Sequence, residues 1–408
     1  METRVSRVVN SRHTTTTLSI AIIFIFMLAT MRCWIGFEGR KELMIYVFPV
    51  VIVGLLFVGQ IKYVFKKRYF IFSVIMAITS LLTIKGHMNF MGHLYQIWPA
   101  IGIFFVLSIP DNEKEYVLEK IIRWFCILMI LSISLYVINL LVQLPSLGTI
   151  QGEYSSGVFA GEFLNYIFYT KPIHVQYTSF TRFNGPFIEP GDVGCAAAFI
   201  LMAARFDFNK YKYLWASFLG LALSFSLAGY MLALFAYGSK FIYENKAKTQ
   251  VFVWGILVLI SFYFFGTFYR GGDNFINETI ISRLQFDADV GFVGNNRTSL
   301  LKMEYFFAMF NDPQTLWFGY DEATIERLYE SGLGAGFINQ AVVIGMAGMI
   351  GLVLPYLYFA LTSSSRKYGW MFFVLFLLYF FQRSETQWLA IVMPYVYGIR
   401  IFEMEKNK

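Results

Sequence analysis

Charged residues are scarce in this chain. Asp, Glu, Lys and Arg make up 14% of the 408 residues, whereas 57% are hydrophobic and the mean hydropathy is +0.56. Soluble domains carry about 25% charged and about 45–50% apolar residues, so this composition is typical of membrane proteins. The net charge is +7, and the basic residues lie in short clusters between apolar runs. That pattern favours a role in membrane topology and argues against a nucleic-acid partner.

Cysteine is also rare, and motifs that would assign a cofactor are missing. Cys33, Cys126 and Cys195 fall in or beside apolar runs without metal spacing, so we expect small buried side chains. The sequence has neither a phosphate-binding lysine loop nor a dinucleotide glycine pattern, which argues against a pump that uses ATP by itself. The histidines show no metal-ligand spacing with a carboxylate. We therefore expect no metal and no other cofactor.

Long apolar runs predict an all-α, polytopic integral membrane protein, with residues 1–408 as one transmembrane domain. A helix needs about 20 apolar residues to cross the hydrocarbon core. The sequence predicts about twelve such spans, and the close pair within 212–243 could include a broken or re-entrant segment. The spans are 18–36, 43–61, 69–84, 94–109, 121–143, 187–204, 212–227, 229–243, 251–268, 338–361, 368–382 and 387–403.

The distribution of Lys and Arg predicts the orientation of these spans. With the N-terminus in the cytoplasm, 21 of the 33 basic residues fall in cytoplasmic segments, with at least two in every segment. Positive charge concentrates on the cytoplasmic side of membrane proteins. Both termini are therefore predicted to be cytoplasmic.

Two segments on the opposite, non-cytoplasmic side are too long to be simple turns. They cover 145–186 and 270–337, and loops beyond about 15 residues are usually functional or disordered. In the second loop, apolar residues spaced by three and four predict amphipathic helices around 275–284 and 300–310. A further short helix is predicted from Glu322 to Glu330, before a glycine-rich return to the membrane.

The densest chemical signal is the segment 181–194, which joins the first loop to the sixth span. Pro190 suits the first turn of a helix, with Glu189 at or near the cap. The N–H groups and positive dipole of that helix end favour an anion, which Arg182 could meet from the side. In the simpler interpretation the helix is only capped and Arg182 pairs with Glu189. A second signal is Arg297, which opens an amphipathic helix where the dipole disfavours a cation.

These segments resemble the O-antigen polymerase and ligase superfamily. The resemblance rests on Arg182, Gly185, Phe187, Glu189 and Pro190, and on a second group. The second group is Arg297, Gly319, Asn339, Gly345, Gly348 and Gly351. Motif-level similarity covers about 90 residues, and the architecture covers most of the chain. The ligase branch usually has a histidine before the asparagine at the return into the membrane, where this chain has Ile338, so the polymerase branch is favoured.

The resemblance implies a GT-C-like fold and a metal-independent glycosyltransferase that acts at the periplasmic face. Its substrate would be an undecaprenyl-diphosphate-linked glycan, as donor and acceptor, and a chain-length regulator protein would be a partner besides membrane lipid. Arg182 and Arg297 would handle the diphosphate, because guanidinium groups bind such oxygens bidentately. Glu189 is a candidate base, or only a helix cap. Further candidates for substrate binding are Arg270, Arg283, Tyr320 and Asn339.

Two other functions remain open at this stage. A flippase or secondary transporter for lipid-linked oligosaccharides would favour short loops, internal repeats and ionisable residues inside the spans. The predicted spans are nearly free of charge, and the polar residues gather in the outer loops. An O-antigen ligase is the second alternative, opposed by Ile338.

Overall fold

The protein is mostly helical. The computed structural model describes residues 15–31, 33, 50–51, 53–54, 63–82, 90–153, 159–173, 182–244, 263–272, 274, 277, 281–282, 286–287, 291–292, 300–330, 336–383 and 386–406. The helices are α1 (Thr17–Thr30), α2 (Lys67–Leu82), α3 (Phe90–Leu107), α4 (Asp111–Val142), α5 (Pro190–Ala203), α6 (Leu214–Ser224), α7 (Leu227–Glu244), α8 (Leu300–Ala308), α9 (Pro313–Phe318), α10 (Glu322–Glu330), α11 (Phe337–Leu361), α12 (Arg366–Gln382) and α13 (Leu389–Lys406). Strands are β1 (Thr149–Glu153), β2 (Phe159–Asn165), β3 (Thr170–Pro172), β4 (Phe286–Asp287) and β5 (Gly291–Phe292).

Helices occupy most of the described residues of the predicted spans, while 43–61 and 251–268 lie mostly outside the described residues. The first span, predicted as 18–36, ends as a helix at Thr30, and Cys33 forms an isolated β-bridge with Phe187. Helix α4 begins at Asp111 and so includes the predicted cytoplasmic connection before 121. Among the described residues, α4 and α11 are long and apolar enough to cross a membrane by length and composition. Shorter apolar helices are Thr17–Thr30, Ile97–Leu107, Pro190–Ala203 and Leu214–Ser224. Helix length alone therefore does not establish twelve spans.

Helix α5 forms the centre of the bundle. Every residue from Gly191 to Ala203 is buried, and α5 packs against α6, α7 and α13. Small residues permit this packing: a Cβ on Gly229 of α7 would lie 2.8 Å from the Cα of Gly194 of α5. Cys33, Cys126 and Cys195 are buried thiols, as predicted.

The predicted break in 212–243 is a tight turn between α6 and α7. Gly220 of α6 lies beside Val193, and Gly229 of α7 lies beside Gly194, so the turn at Phe225 contacts the first half of α5. Phe225 adopts a left-handed conformation with φ 46°. Helix α6 has 11 residues and spans about 17 Å, roughly half of a hydrocarbon core.

The first long loop contains strands, which the all-α prediction missed. Strands β1, β2 and β3 form an antiparallel sheet in the order β1-β2-β3. Thr170 of β3 fixes this sheet to the segment before α5, donating from its N–H to the Gly185 carbonyl (2.8 Å) and from its hydroxyl to the Phe187 carbonyl (2.5 Å). The alternation of apolar and polar residues that predicts a strand covers too few residues here, so the helical pattern of the rest of the chain dominated the prediction.

In the second long loop, the described residues confirm a helix within 300–310 and the short helix Glu322–Glu330. The predicted helix at 275–284 lies mostly outside the described residues. Helix α9 was not predicted, although Asp312 caps it by accepting from the N–H groups of Gln314 and Thr315. The Thr315 hydroxyl and these N–H groups hold the pKa of the Asp312 carboxyl below its ordinary value.

The outer helices α8–α10 are attached to α11 at a break in that helix. Gly345 has φ 66° and ψ −178°, which interrupts the helical hydrogen bonds. The turn after α9 fills the break, where the Tyr320 N–H donates to the Val342 carbonyl (3.0 Å). Met309, Leu328 and Val342 form a small buried cluster below this turn.

The polar contacts separate into two ends of the bundle. The "Asp111 end" contains the described ion pairs of the segments predicted to be cytoplasmic, which are Lys66–Asp111, Arg68–Glu403, Lys114–Asp111, Arg205–Glu405, Lys210–Glu115, Arg400–Asp111 and Arg400–Glu403. The "Glu189 end" contains the β1–β3 sheet, helices α8–α10 and the ion pairs of Arg383 with Glu189 and Asp192. Segments to which the Lys and Arg pattern gives the same side thus contact one another in these ion pairs.

Asp111 should be critical to the stability of its end. Its carboxylate bonds Lys66 and Arg400, accepts from the Tyr69 hydroxyl (2.8 Å) and lies 3.0 Å from the Lys114 ammonium, whose side chain is fully buried. Replacing Asp111 with Ala would leave buried positive charge uncompensated, which costs about 3–5 kcal/mol. We expect a clearly lower midpoint of thermal unfolding, followed by circular dichroism of the purified protein.

The matched control is Glu405→Gln. Glu405 pairs with Arg205, but both side chains are about one third exposed, and exposed pairs contribute at most about 1 kcal/mol. Equal shifts in the two variants would contradict the assigned role of Asp111.

Candidate active site

The segment 182–192 reaches α5 through a sharp turn. Gly185 has φ 58°, a left-handed conformation that glycine tolerates, and the Asn184 side-chain amide donates to the Ile188 carbonyl (3.2 Å). Helix α5 then begins at Pro190, with Glu189 as its extended N-cap residue, as predicted. The Glu189 side chain makes no capping hydrogen bond. It points instead to another element.

The partner of the Glu189 side chain is Arg383, which lies directly after α12. Its guanidinium donates from Nη2 to the Glu189 carboxylate and from Nη1 to the Asp192 carboxylate. The Arg383 side chain is 1% exposed, Asp192 is fully buried, and Glu189 is 20% exposed. The cluster of Glu189, Asp192 and Arg383, called here the acid–arginine cluster, thus reaches its surroundings mainly through Glu189.

Gly191 makes room for the guanidinium. A Cβ at Gly191 would overlap Nη2 of Arg383 and lie 3.0 Å from its Cζ and 3.1 Å from its Nε. The sequence Glu189-Pro190-Gly191-Asp192 therefore has a physical reason at each position. Proline starts the helix, glycine receives the guanidinium, and the two acids bind it from either side.

Arg182 binds the turn between α6 and α7. Its Nε donates to the Ser224 carbonyl (3.1 Å) and its Nη2 to the Phe225 carbonyl (2.7 Å). These carbonyls end α6, where the negative end of the helix dipole favours a cation. The next residue, Ser226, contacts Gly194. Arg182 therefore lies near the first turns of α5, at the same end as the acid–arginine cluster.

The electrostatics differ from the predicted anion site at the start of α5. That helix end carries two carboxylates of its own chain, Glu189 and Asp192, which both bind the guanidinium of Arg383. An anion placed directly on the α5 N–H groups would lie beside these two carboxylates. Arg182 binds two backbone carbonyls near the same helix end.

Asn339 and Tyr320 lie along the first turns of α11. Asn339 is 4% exposed, and Phe337 in the preceding turn contacts the rings of Phe380 and Phe381, just before Arg383. Tyr320 packs its ring against Tyr305 and donates its hydroxyl to the Tyr305 carbonyl (2.9 Å). The start of α11 thus lies beside the end of α12, which precedes Arg383, and Tyr320 has a packing role in the outer helices.

Arg270 is the remaining predicted residue that the structure describes, and its described contacts do not include this site. Arg270 is exposed, has φ 53° and lies 5.5 Å above the Tyr269 ring. Arg283 and Arg297 lie outside the described residues.

Sequence reasoning missed Arg383 and gave Asp192 no role. Arg383 stands in a short polar interval between two apolar spans, and that exception was the available signal. Its partners are 191 and 194 residues away in the chain, a separation that no local pattern predicts.

Comparison with protein-family models, with curated proteins and with solved structures gives no match for this chain.

Proposed function

We propose that this protein is a multi-pass protein of a bacterial inner membrane that polymerises undecaprenyl-diphosphate-linked oligosaccharide repeat units at the periplasmic face. In this proposal the Asp111 end faces the cytoplasm and the Glu189 end faces the periplasm. The orientation is supported by the excess of Lys and Arg in the segments of the Asp111 end.

One observation carries the proposal. An arginine, Arg182, which donates to two backbone carbonyls, and a carboxylate held by a buried arginine lie near the same first turns of α5. Both lie at the end of the bundle where the sheet and the outer helices project. Glycosyl transfer from a lipid diphosphate needs these two functions, a cation for the departing diphosphate and a base for the acceptor hydroxyl.

The proposed step is a single exchange at the anomeric carbon. The acceptor hydroxyl oxygen forms a bond to this carbon, and the bond from the carbon to the diphosphate oxygen breaks. The electron pair leaves with the lipid diphosphate, where Arg182 stabilises the growing charge. The hydroxyl proton passes to Glu189, the more exposed carboxylate of the cluster. Fixed positive charge of this kind contributes roughly 3–4 kcal/mol per group.

Other residues have supporting roles in the proposal. Arg297 is a second diphosphate ligand by the resemblance alone. Asn339 could orient the acceptor, because it lies beside the segment of Arg383. Arg270, Arg283 and Tyr320 are candidates for sugar or phosphate contacts in the outer loop, and a chain-length regulator protein is the expected partner.

Purified protein given defined diphosphate-linked repeat units should form polymer with chelator present, since arginine charge takes the place of a metal ion in this proposal. A strain lacking the gene should carry lipid A core capped with a single repeat unit. Core without any attached sugar would indicate a flippase or a ligase instead.

Orientation is tested by single cysteines introduced into a background without Cys33, Cys126 and Cys195. An impermeant maleimide should label Lys171→Cys in the sheet when it has access only to the periplasm, and should not label Lys210→Cys, the matched position at the Asp111 end. The reverse labelling would remove the proposed site from the periplasm and end the proposal.

A further inference from the structure

The three residues of the acid–arginine cluster differ in burial, and this difference indicates different roles. Asp192 is fully buried and Arg383 is 1% exposed, whereas Glu189 is 20% exposed. A buried carboxylate is retained only with a partner for its charge, and Arg383 supplies that partner to Asp192. Glu189 is the member that a substrate can reach.

The position of the guanidinium is fixed from several sides. Its two Nη atoms bind two different carboxylates, and its plane lies against Gly191 without room for a Cβ. The backbone N–H of Arg383 donates to the Tyr379 carbonyl (2.7 Å), which ties it to the end of α12. A planar, forked group held in this way sets the direction of the Glu189 carboxylate more precisely than a lysine ammonium would.

The contacts of the cluster are compatible with a proton on Glu189. Asp192 and Arg383 form a buried ion pair, and Glu189 binds the other Nη atom of the same guanidinium. When Glu189 accepts a proton, the ion pair of Asp192 with Arg383 remains, so the buried carboxylate keeps its partner.

We propose that Arg383 and Asp192 are positioning residues that hold Glu189 in place as the base for the acceptor hydroxyl, an inference that rests on the proposed function. Arg383 does not contact the reacting atoms in this arrangement. It acts through Glu189, so its loss should slow turnover and leave donor binding nearly unchanged.

The test compares Arg383→Gln with the double variant Arg383→Gln/Asp192→Asn. The single variant removes the guanidinium that binds Glu189 and the buried Asp192, and should lower both the thermal stability and kcat. The double variant removes one cation and one anion, so the net charge of the cluster is the same as in the wild type. Its stability should recover, while kcat stays lower by about 100-fold or more and the KM for the lipid-linked donor changes by less than about threefold.

Arg366→Gln is the control, because Arg366 is an exposed arginine at the opposite end of the same helix α12. It should leave kcat and KM at wild-type values. Recovery of kcat together with stability in the double variant would show that Arg383 is only a structural counter-ion, and would overturn this inference alone. A wild-type protein that forms no polymer would overturn the proposed function and this inference with it.

Discussion

Replacing Arg182 with alanine should reduce polymerisation by purified protein by about 100-fold or more. Its guanidinium lies near the start of α5, where it donates to the carbonyls of Ser224 and Phe225. Without it, the growing negative charge of the diphosphate loses its stabilisation. The measurement is the rate of polymer formation from defined lipid-linked repeat units, at saturating and at limiting donor.

A structural effect must be separated from this chemical one, because Arg182 also binds the turn that ends α6. Arg182→Lys keeps the positive charge but cannot span the two carbonyls as a fork does. We expect Arg182→Lys to lower thermal stability about as much as Arg182→Ala and to retain more of the polymerisation rate. If both variants lose stability and activity in equal proportion, the role of Arg182 is structural.

Arg327→Ala serves as the control for position and charge. Arg327 is exposed in the last turn of α10, also at the Glu189 end. Its removal should leave the rate within about twofold, since exposed charges contribute little. Full-length polymer from Arg182→Ala would show that Arg182 does not bind the diphosphate.

Arg297→Ala should behave like Arg182→Ala, on the strength of the sequence resemblance.

Alanine at Gly319 or at Gly345 should release the outer helices from α11. A Cβ at Gly319 would lie 2.6 Å from the Val343 carbonyl carbon, and one at Gly345 would lie 2.5 Å from the backbone nitrogen of Gly319. Both glycines have positive φ, 77° and 66°, where a Cβ is strained whatever the space. Backbone atoms cannot move aside as a flexible side chain can. We expect each variant to lose about 3 kcal/mol or more of stability.

Limited proteolysis in detergent is the direct measurement. Cleavage within Leu300–Glu330 should be much faster in Gly319→Ala and Gly345→Ala than in the wild type, because the hydrogen bond from Tyr320 to Val342 would be lost. Gly238→Ala is the matched control, since a Cβ at Gly238 in helix α7 would meet nothing within 4 Å. That change should be neutral or stabilise by up to about 1 kcal/mol. Identical cleavage in all three variants would contradict the proposed attachment.

The sequence predicted the positions of the helices because helix formation and apolar composition are local properties. A run of about 20 apolar residues makes a helix whose end is marked by charge, proline or glycine. Pro190 and Glu189 therefore predicted the start of α5, and the pattern of Glu322–Glu330 predicted α10. Lys and Arg in alternate connections likewise predicted which segments meet at each end of the bundle.

Long-range partners were decided only by the tertiary structure. Glu189 was predicted as a helix cap or a base, but its contact with Arg383 depends on the packing of α5 near the end of α12. Arg182 was predicted near an anion, and the structure adds its hydrogen bonds to the turn of a half-length helix. The same applies to the break at Gly345, which exists because another turn of the chain fills it.

The physical reason is the difference in range between two kinds of interaction. Some depend on residues close together in the chain, and others form only between distant residues that packing brings together. Hydrophobic periodicity, caps and basic clusters act over a few residues, so the amino-acid sequence by itself determined most helices of the described part and their order, but not α9 or the β1–β3 sheet. The pairing of a buried charge is a cost that any opposite charge can offset, and only the packed structure selects which one. The acid–arginine cluster of this protein is therefore a property of its tertiary structure, built on a helix start that the sequence already specifies.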